Sequence, residues 1–283
     1  MGWLFVVMMV VMLVLGFAKK GIYSSKLGFN VVVVGDQGVA LVLLRPEEGI
    51  MTLVKLPENL SVKISGSNAI YPLSSLWKYS LAERNTYKIV TSSLSETIGV
   101  ILPRVIKVKG DPIPENLLGS LHKLNLMTDL SLRDRILLRR DLVVSVSSKK
   151  ILEIEIPKSA LNKTIDPDGK EFLEINLVVN LWTKNKFIFD TLLGENSNVK
   201  IYNLSKVNGA GLLLSRQLES AGLRVVEVSS GYSQPIEGKG CIFKSDGSHF
   251  YTEFLLRNYV GCKNISTKKE IKTGEEGTRV WLL

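Results

Sequence analysis

An uncharged apolar run, WLFVVMMVVMLVLGFA from Trp3 to Ala18, stops abruptly at Lys19-Lys20 and divides the chain into two unlike parts. On a standard hydropathy scale the run sums to roughly 44 units, against about 48 for the whole chain. It therefore supplies nearly all of the mean hydropathy of +0.17. The rest is hydropathy-neutral, which excludes a polytopic membrane protein, and charged residues at 22% spread along the chain exclude wholesale disorder. As a helix the run spans roughly 25 Å, a little short of a hydrocarbon core of about 30 Å. Residues 1–20 are expected to be a single-pass membrane anchor, with a cleaved signal or a buried core helix as alternatives. Gly16-Phe17-Ala18 offers small residues where a signal would be cut, but no Lys or Arg precedes the run. By the positive-inside rule Lys19, Lys20 and Lys26 would face the cytoplasm, whereas a signal would export the remainder of the chain, so both orientations stay open.

Residues 21–29, GIYSSKLGF, read as a short tether. The turn residues Asp36-Gln37-Gly38 then separate two strand-length apolar runs, 30–35 and 39–44, which predicts a hairpin. Strand character continues at 50–56 and 60–64, with Pro57-Glu58-Asn59 as punctuation. Helical spacing follows at 87–98, and strand character returns at 100–108. A second helix is predicted from Asp129 to about Val144, capped by Thr128 or Asp129. A strand is expected at 151–156, a polar turn at 162–170, a helix over 173–189 and a domain boundary at 194–198. Beyond it strand, helix and strand recur twice: 199–204, 210–220 and 223–228, then 240–243, a helix from 247 or 248 to about 259, and a strand within 265–272. A terminal strand closes at 279–283. The expected fold is thus α+β or α/β: a membrane helix, a larger mixed-sheet domain over 30–194 and a small two-layer sandwich over 197–283.

Catalytic chemistry finds little purchase. His122 and His249 stand in no metal-ligand spacing, and there is no nucleophile elbow, Walker loop or dinucleotide fingerprint. No catalytic residue, metal or cofactor is therefore expected. VVVVGDQG is followed by another strand where a nucleotide-binding unit needs a helix. The net charge of +9 is spread out: Lys+Arg exceeds Asp+Glu by 5 up to Glu195 and by 4 beyond it. The densest basic stretch, Arg133, Arg135, Arg139 and Arg140, is interleaved with Asp129, Asp134 and Asp141. It reads as a solvated helix face laced with ion pairs and lacks aromatics for base stacking, so no nucleic-acid partner is expected. Asn208, Gly209 and Gly211 lie between a strand and a helix, where free N–H groups can hold an anion or glycines can simply make a tight turn. Cys241 and Cys262 would begin two neighbouring strands of a parallel crossover and are expected to pair.

Two resemblances accompany these patterns. VKIYNLSKVNGAGLLLSRQLESAGLRVVEVSSG, with the later GTRVWLL, resembles the C-terminal domain of LytR-type cell-envelope proteins over about residues 197–283. GVALVLLRPEEGIMTLVKLPENLSVKI, followed by SSLSETIGVILPRVIKV, is similar to the LytR-CpsA-Psr catalytic domain over residues 30–190. That family is implied to transfer glycopolymers from a lipid pyrophosphate carrier to peptidoglycan, using Arg and Asp side chains and a divalent metal. Where its Pro-Arg-Asp motif would stand, this chain has Pro57-Glu58-Asn59, a carboxylate and an amide in place of a phosphate clamp. The resemblance thus implies a degenerate domain and a membrane-anchored, extracytoplasmic envelope protein. Its expected role is binding an anionic wall polymer, peptidoglycan or an envelope protein. The alternative is a divergent phosphotransferase using Arg45, Glu47, Glu48 and Glu58.

Overall fold

In the computed structural model, which describes residue 3 and residues 21–165, 168–231, 238–265 and 277–283, the apolar runs become strands of two mixed sheets. In chain order come β1 (Phe29–Val34), β2 (Val39–Arg45), β3 (Ile50–Leu56), β4 (Ser61–Lys63), β5 (Ile70–Pro72), α1 (Leu73–Ala82) and α2 (Thr86–Ile98). Next are β6 (Arg104–Lys107), α3 (Pro114–Ser120), α4 (Leu132–Ser147), β7 (Ile151–Glu155), β8 (Leu161–Ile165), β9 (Glu171–Ile175), α5 (Val179–Lys186) and α6 (Asp190–Glu195). The last stretch holds β10 (Asn198–Asn203), α7 (Ala210–Ser220), β11 (Arg224–Ser229), β12 (Cys241–Lys244), α8 (Phe250–Leu255) running into a π turn (Leu256–Val260), β13 (Lys263–Asn264) and β14 (Thr278–Leu282). Among the described residues no helix is long and apolar enough to cross a membrane, and the apolar run before Lys19 lies outside them apart from residue 3.

The chain folds into two units, each discontinuous in sequence. The first takes its described residues from 21–56 and 104–155, the second from 57–103 and 156–283. The span 30–194, expected as one domain, thus contributes to both.

In the first unit the strand order is β6-β1-β2-β3-β7. β1, β2 and β3 are antiparallel neighbours, while β6 and β7 join parallel at the two edges. Every residue of β1 is buried, Asn30 included, as its apolar run from Val31 to Val34 foretells for a strand covered on both faces. The Asp36 turn is a hairpin turn: Gly35 N–H donates to the Gly38 carbonyl at 2.8 Å. Asp36 also fastens the turn to the end of β6, accepting from Lys107 Nζ and Gly110 N–H, each at 2.7 Å. Those two donors hold its carboxyl below the usual carboxylate range.

α4 begins later than expected, because Ser131 Oγ, accepting from Asp134 N–H at 3.1 Å, is its cap. The expected caps are engaged on β6 instead. Thr128 Oγ1 donates to the Val105 carbonyl at 2.7 Å, and Asp129 Oδ1 accepts Val105 N–H at 3.0 Å. The ion pairs foreseen along α4 are also rearranged, since Asp134 and Asp141 point inward and are buried. Asp134 accepts from the N–H groups of Ile22 and Tyr23 at 3.2 and 2.9 Å. Asp141 accepts from Tyr23 Oη and Ser25 Oγ, both at 2.7 Å. Residues 21–28, expected as a tether, are therefore packed against α4, with Ile22, Tyr23 and Leu27 buried.

In the second unit β8 and β9 form an antiparallel hairpin where a polar turn and the start of a helix were expected. The stretch Leu161–Ile165 ends in two β-branched residues, Thr164 and Ile165, which suit a strand. The helix starts only at Val179. The larger sheet has the order β11-β10-β14-β12-β13, parallel throughout except for the β12–β14 pair. Val199, Ile201, Phe243 and Val280 share the face on which α7 packs, while Tyr202, Ile242 and Trp281 cluster on the other. β12 and β13 pair in parallel through the α8 crossover, and the Cys241–Cys262 disulfide joins them with Cα atoms 4.5 Å apart. The strand expected within 265–272 falls at Lys263–Asn264, and residues 266–276 lie outside the described part.

Candidate functional site

The turn Asn208-Gly209-Ala210-Gly211 joins β10 to α7. Gly209 caps α7 at φ +79, a left-handed conformation that suits glycine. A Cβ on Gly211 would lie 3.1 Å from Val228 Cγ1 and 3.2 Å from Asn203 Cβ, so glycine there lets α7 approach β10 and β11 closely. Asn208 is exposed, and the turn before it is tied by Asn203, whose Nδ2 donates to the Val207 carbonyl at 3.0 Å.

Arg45, Glu47 and Glu48 sit together at the β2–β3 turn of the first unit, whereas Glu58 belongs to the second. The Arg45 guanidinium is turned to Asn30 Oδ1 at 3.0 Å and to the Leu44 carbonyl at 3.1 Å. Pro57-Glu58-Asn59 ties hairpins together. Asn59 Nδ2 donates to the Glu171 carbonyl at 3.2 Å, the Asn59 carbonyl accepts Leu173 N–H at 3.0 Å, and the Glu58 carbonyl accepts Ser74 N–H at 3.1 Å. Among the described residues no group of three or more His, Cys, Asp or Glu side chains is placed to hold a metal ion.

A groove that sequence reasoning missed lies in the second unit, and the missed β8–β9 hairpin is what forms it. Its outer part, a hollow of about 420 Å³, runs between β4–β5 and β8–β9 and is lined by Ile70, Tyr71, Ile165 and Phe172 with Ser61 and Thr164. Ile165 and Ile70 are 75% and 61% exposed, so this floor is openly apolar. Tyr71 is held in place by Tyr79, with ring centroids 4.7 Å apart.

The groove continues into a second hollow of about 420 Å³, sharing Ser61, Ile70 and Glu174 and adding Lys63, Glu96 and Thr97. Glu96 is oriented by a hydrogen bond from Ser65 Oγ, while Ser65 N–H donates to Ser93 Oγ at 3.0 Å. α2 therefore presents a carboxylate that its neighbours hold in one position. A smaller hollow of about 240 Å³ extends from Glu96 and Leu213 to Ser92, Gln217 and Tyr259. Among the described residues that line these hollows there is no arginine. The strands that form it, LNKTI and EFLEI, carry no strict alternation in the sequence and are separated by a turn containing Gly169 at φ +75.

No protein-family profile and no curated protein matches the chain. Solved structures resemble parts of it. Bacillus subtilis TagT aligns at 14% identity over 59% of this chain and 92% of its own, with a TM-score of 0.41. Bacillus subtilis TagV aligns at 10% identity over 55% and 94%, with a TM-score of 0.40. A LytR-CPS2A-psr family protein, YwtF (TagT), with bound octaprenyl pyrophosphate lipid, aligns at 15% identity over 57% and 89%, with a TM-score of 0.39. The chain is thus similar in part to LytR-CPS2A-psr proteins, at a level that transfers neither site nor activity to it.

Proposed function

We propose that this chain is a membrane-anchored, extracytoplasmic protein of the cell envelope that binds a glycan of the wall in the groove of its second unit. The carrying observation is the composition of that groove. An open apolar floor of Ile70, Tyr71, Ile165 and Phe172 lies beside Ser61, Thr164, Lys63, Glu96 and Glu174, so carboxylates outnumber the one lysine there. Apolar platforms with a few convergent polar groups suit ligands that have both kinds of face, as pyranose rings do. Carboxylates accept hydrogen bonds from sugar hydroxyls, and they disfavour a polyphosphate at the same place. The groove's ligand is thus a glycan rather than any wall polymer. The Cys241–Cys262 disulfide supports a compartment outside the cytoplasm, where thiols stay oxidised. The apolar run ahead of the folded part supplies the anchor.

Co-sedimentation of the full chain, in mild detergent, with isolated cell walls tests the reading. Walls stripped of anionic polymer should retain the protein, and Phe172→Ala together with Ile70→Ser should lower the bound fraction about tenfold. Failure to sediment at low salt, or binding indifferent to both substitutions, overturns it.

A further inference from the structure

α4 sorts its charges by direction. Its two carboxylates, Asp134 and Asp141, turn inward to hold residues 22–25. The outward face is left with Arg133, Arg139 and Arg140, the last 59% exposed although it pairs with Asp141. Between them stand Ile136, Val143 and Val144, exposed at 51%, 38% and 54%. Positions 136, 140, 143 and 147 recur at helical spacing, so arginine and aliphatic groups share one stripe on a helix roughly 24 Å long.

The place where the chain enters the fold adds a second observation. A Cβ on Gly21 would lie 2.5 Å from Asp134 Oδ1 and 3.4 Å from Arg133 Cδ, so residue 21 rests on the first turn of α4. Immediately before it stand Lys19 and Lys20, and before them the apolar run. Only Lys19 and Lys20 separate that run in sequence from the residues packed on α4.

We propose that the outer face of α4 docks on the anionic headgroup layer of the bilayer that holds the apolar run, through Arg133, Arg139 and Arg140 with Ile136, Val143 and Val144 at the interface. Basic residues supply attraction to anionic lipid and the aliphatic groups supply shallow burial, as in helices that lie in the interfacial plane. The proposal rests on the anchor reading of residues 3–18 and goes beyond it by orienting the first unit on the membrane.

The test uses the full chain reconstituted in nanodiscs of neutral lipid, or of neutral lipid with about a third anionic lipid. An environment-sensitive fluorophore sits at Val144→Cys, the native cysteines being paired. A second labelled protein carries the dye at Leu124→Cys as a control. A blue shift at position 144 in anionic discs, weaker in neutral discs and reversed by salt, with none at 124, is the expected result. Arg133→Gln with Arg139→Gln should lower the docking constant roughly thirty-fold while leaving the chain in the discs. Disc retention reports on the anchor and the dye on α4, so the two readings fail separately. An unshifted dye in anionic discs overturns the proposal, as does a shift insensitive to the two substitutions. A shift in neutral micelles that grows with protein concentration assigns the face to a second copy and also overturns it.

Discussion

Asp134→Ala perturbs the contact that fastens Ile22 and Tyr23 to α4. The carboxylate is 1% exposed and accepts the N–H groups of Ile22 at 3.2 Å and Tyr23 at 2.9 Å. A hydrogen bond to a charged partner is worth about 1.5–3 kcal/mol, and truncation leaves two amides without their acceptor. Removing a buried charge offsets part of that loss. The lower end applies, and the local opening of residues 21–28 should become easier by about 3 kcal/mol. The start of α4 should survive, because Ser131 Oγ accepts from the backbone N–H of residue 134, which alanine keeps. Hydrogen exchange read by mass spectrometry on the full chain in detergent measures the effect. Exchange at Ile22 and Tyr23 should quicken about a hundredfold, with 132–147 unchanged. Asp134→Asn, which keeps one acceptor oxygen, should give about tenfold. Unchanged exchange at 22 and 23 would refute the reasoning and assign the packing to the burial of Ile22, Tyr23 and Leu27 alone. Equal acceleration throughout β1 to β3 would also refute it, since global unfolding would then be the event.

Replacing Cys241 and Cys262 by alanine should destabilise the second unit by about 3 kcal/mol, seen as a lower denaturant midpoint that reducing agent reproduces in the native protein. Burial pushes the Asp141 carboxyl up, but hydrogen bonds from Arg140, Tyr23 and Ser25 outweigh it and hold the group below its ordinary range. Its stabilising effect is therefore full above about pH 4 and lost as pH falls through the lowered value. Asp141→Asn should flatten the acid limb of a melting-temperature profile between about pH 5 and 2, and an unchanged limb would count against the assignment. Asp129 has the opposite sign: burial raises its pKa, so its contribution is full below about pH 4 and declines as pH rises through the raised value. Gly211→Ala, with contacts of 3.1–3.2 Å to absorb, should cost roughly 1 kcal/mol, and Gly211→Val about 3 kcal/mol, both read from chemical denaturation.

The elements visible in the sequence are those whose pattern is set by burial. β1, β2 and β3 are predominantly apolar and punctuated by turn residues, and α7 carries a clean stripe at Leu214 and Leu218. Cys241 and Cys262 were legible as a pair because a parallel crossover brings strand starts together. The β8–β9 hairpin was not, because Asn162, Lys163 and Lys170 read as part of a polar turn and Leu173 to Ile175 as the start of a helix. The groove was hidden with it. The α4 cap was misplaced because Thr128 and Asp129 are good caps in isolation, and only β6, distant in sequence, explains why they are engaged elsewhere. The direction of each Asp on α4 was equally invisible, since spacing alone does not say which neighbour needs an acceptor.

The first sheet has a consequence for synthesis. Met51 on β3 pairs with Ile151 on β7, and Val31 on β1 with Arg104 on β6. As the chain emerges from its N-terminus, β1 to β3 can form an apolar meander early, but both its edges stay open until the partners of the second segment arrive. Contacts so distant in sequence close slowly, and open apolar edges pair readily with other chains. A nascent form of this protein is thus open to pairing with other chains until those edges close. Fragments that end before residue 151 should accumulate as insoluble material, even though the three strands that form their core are complete.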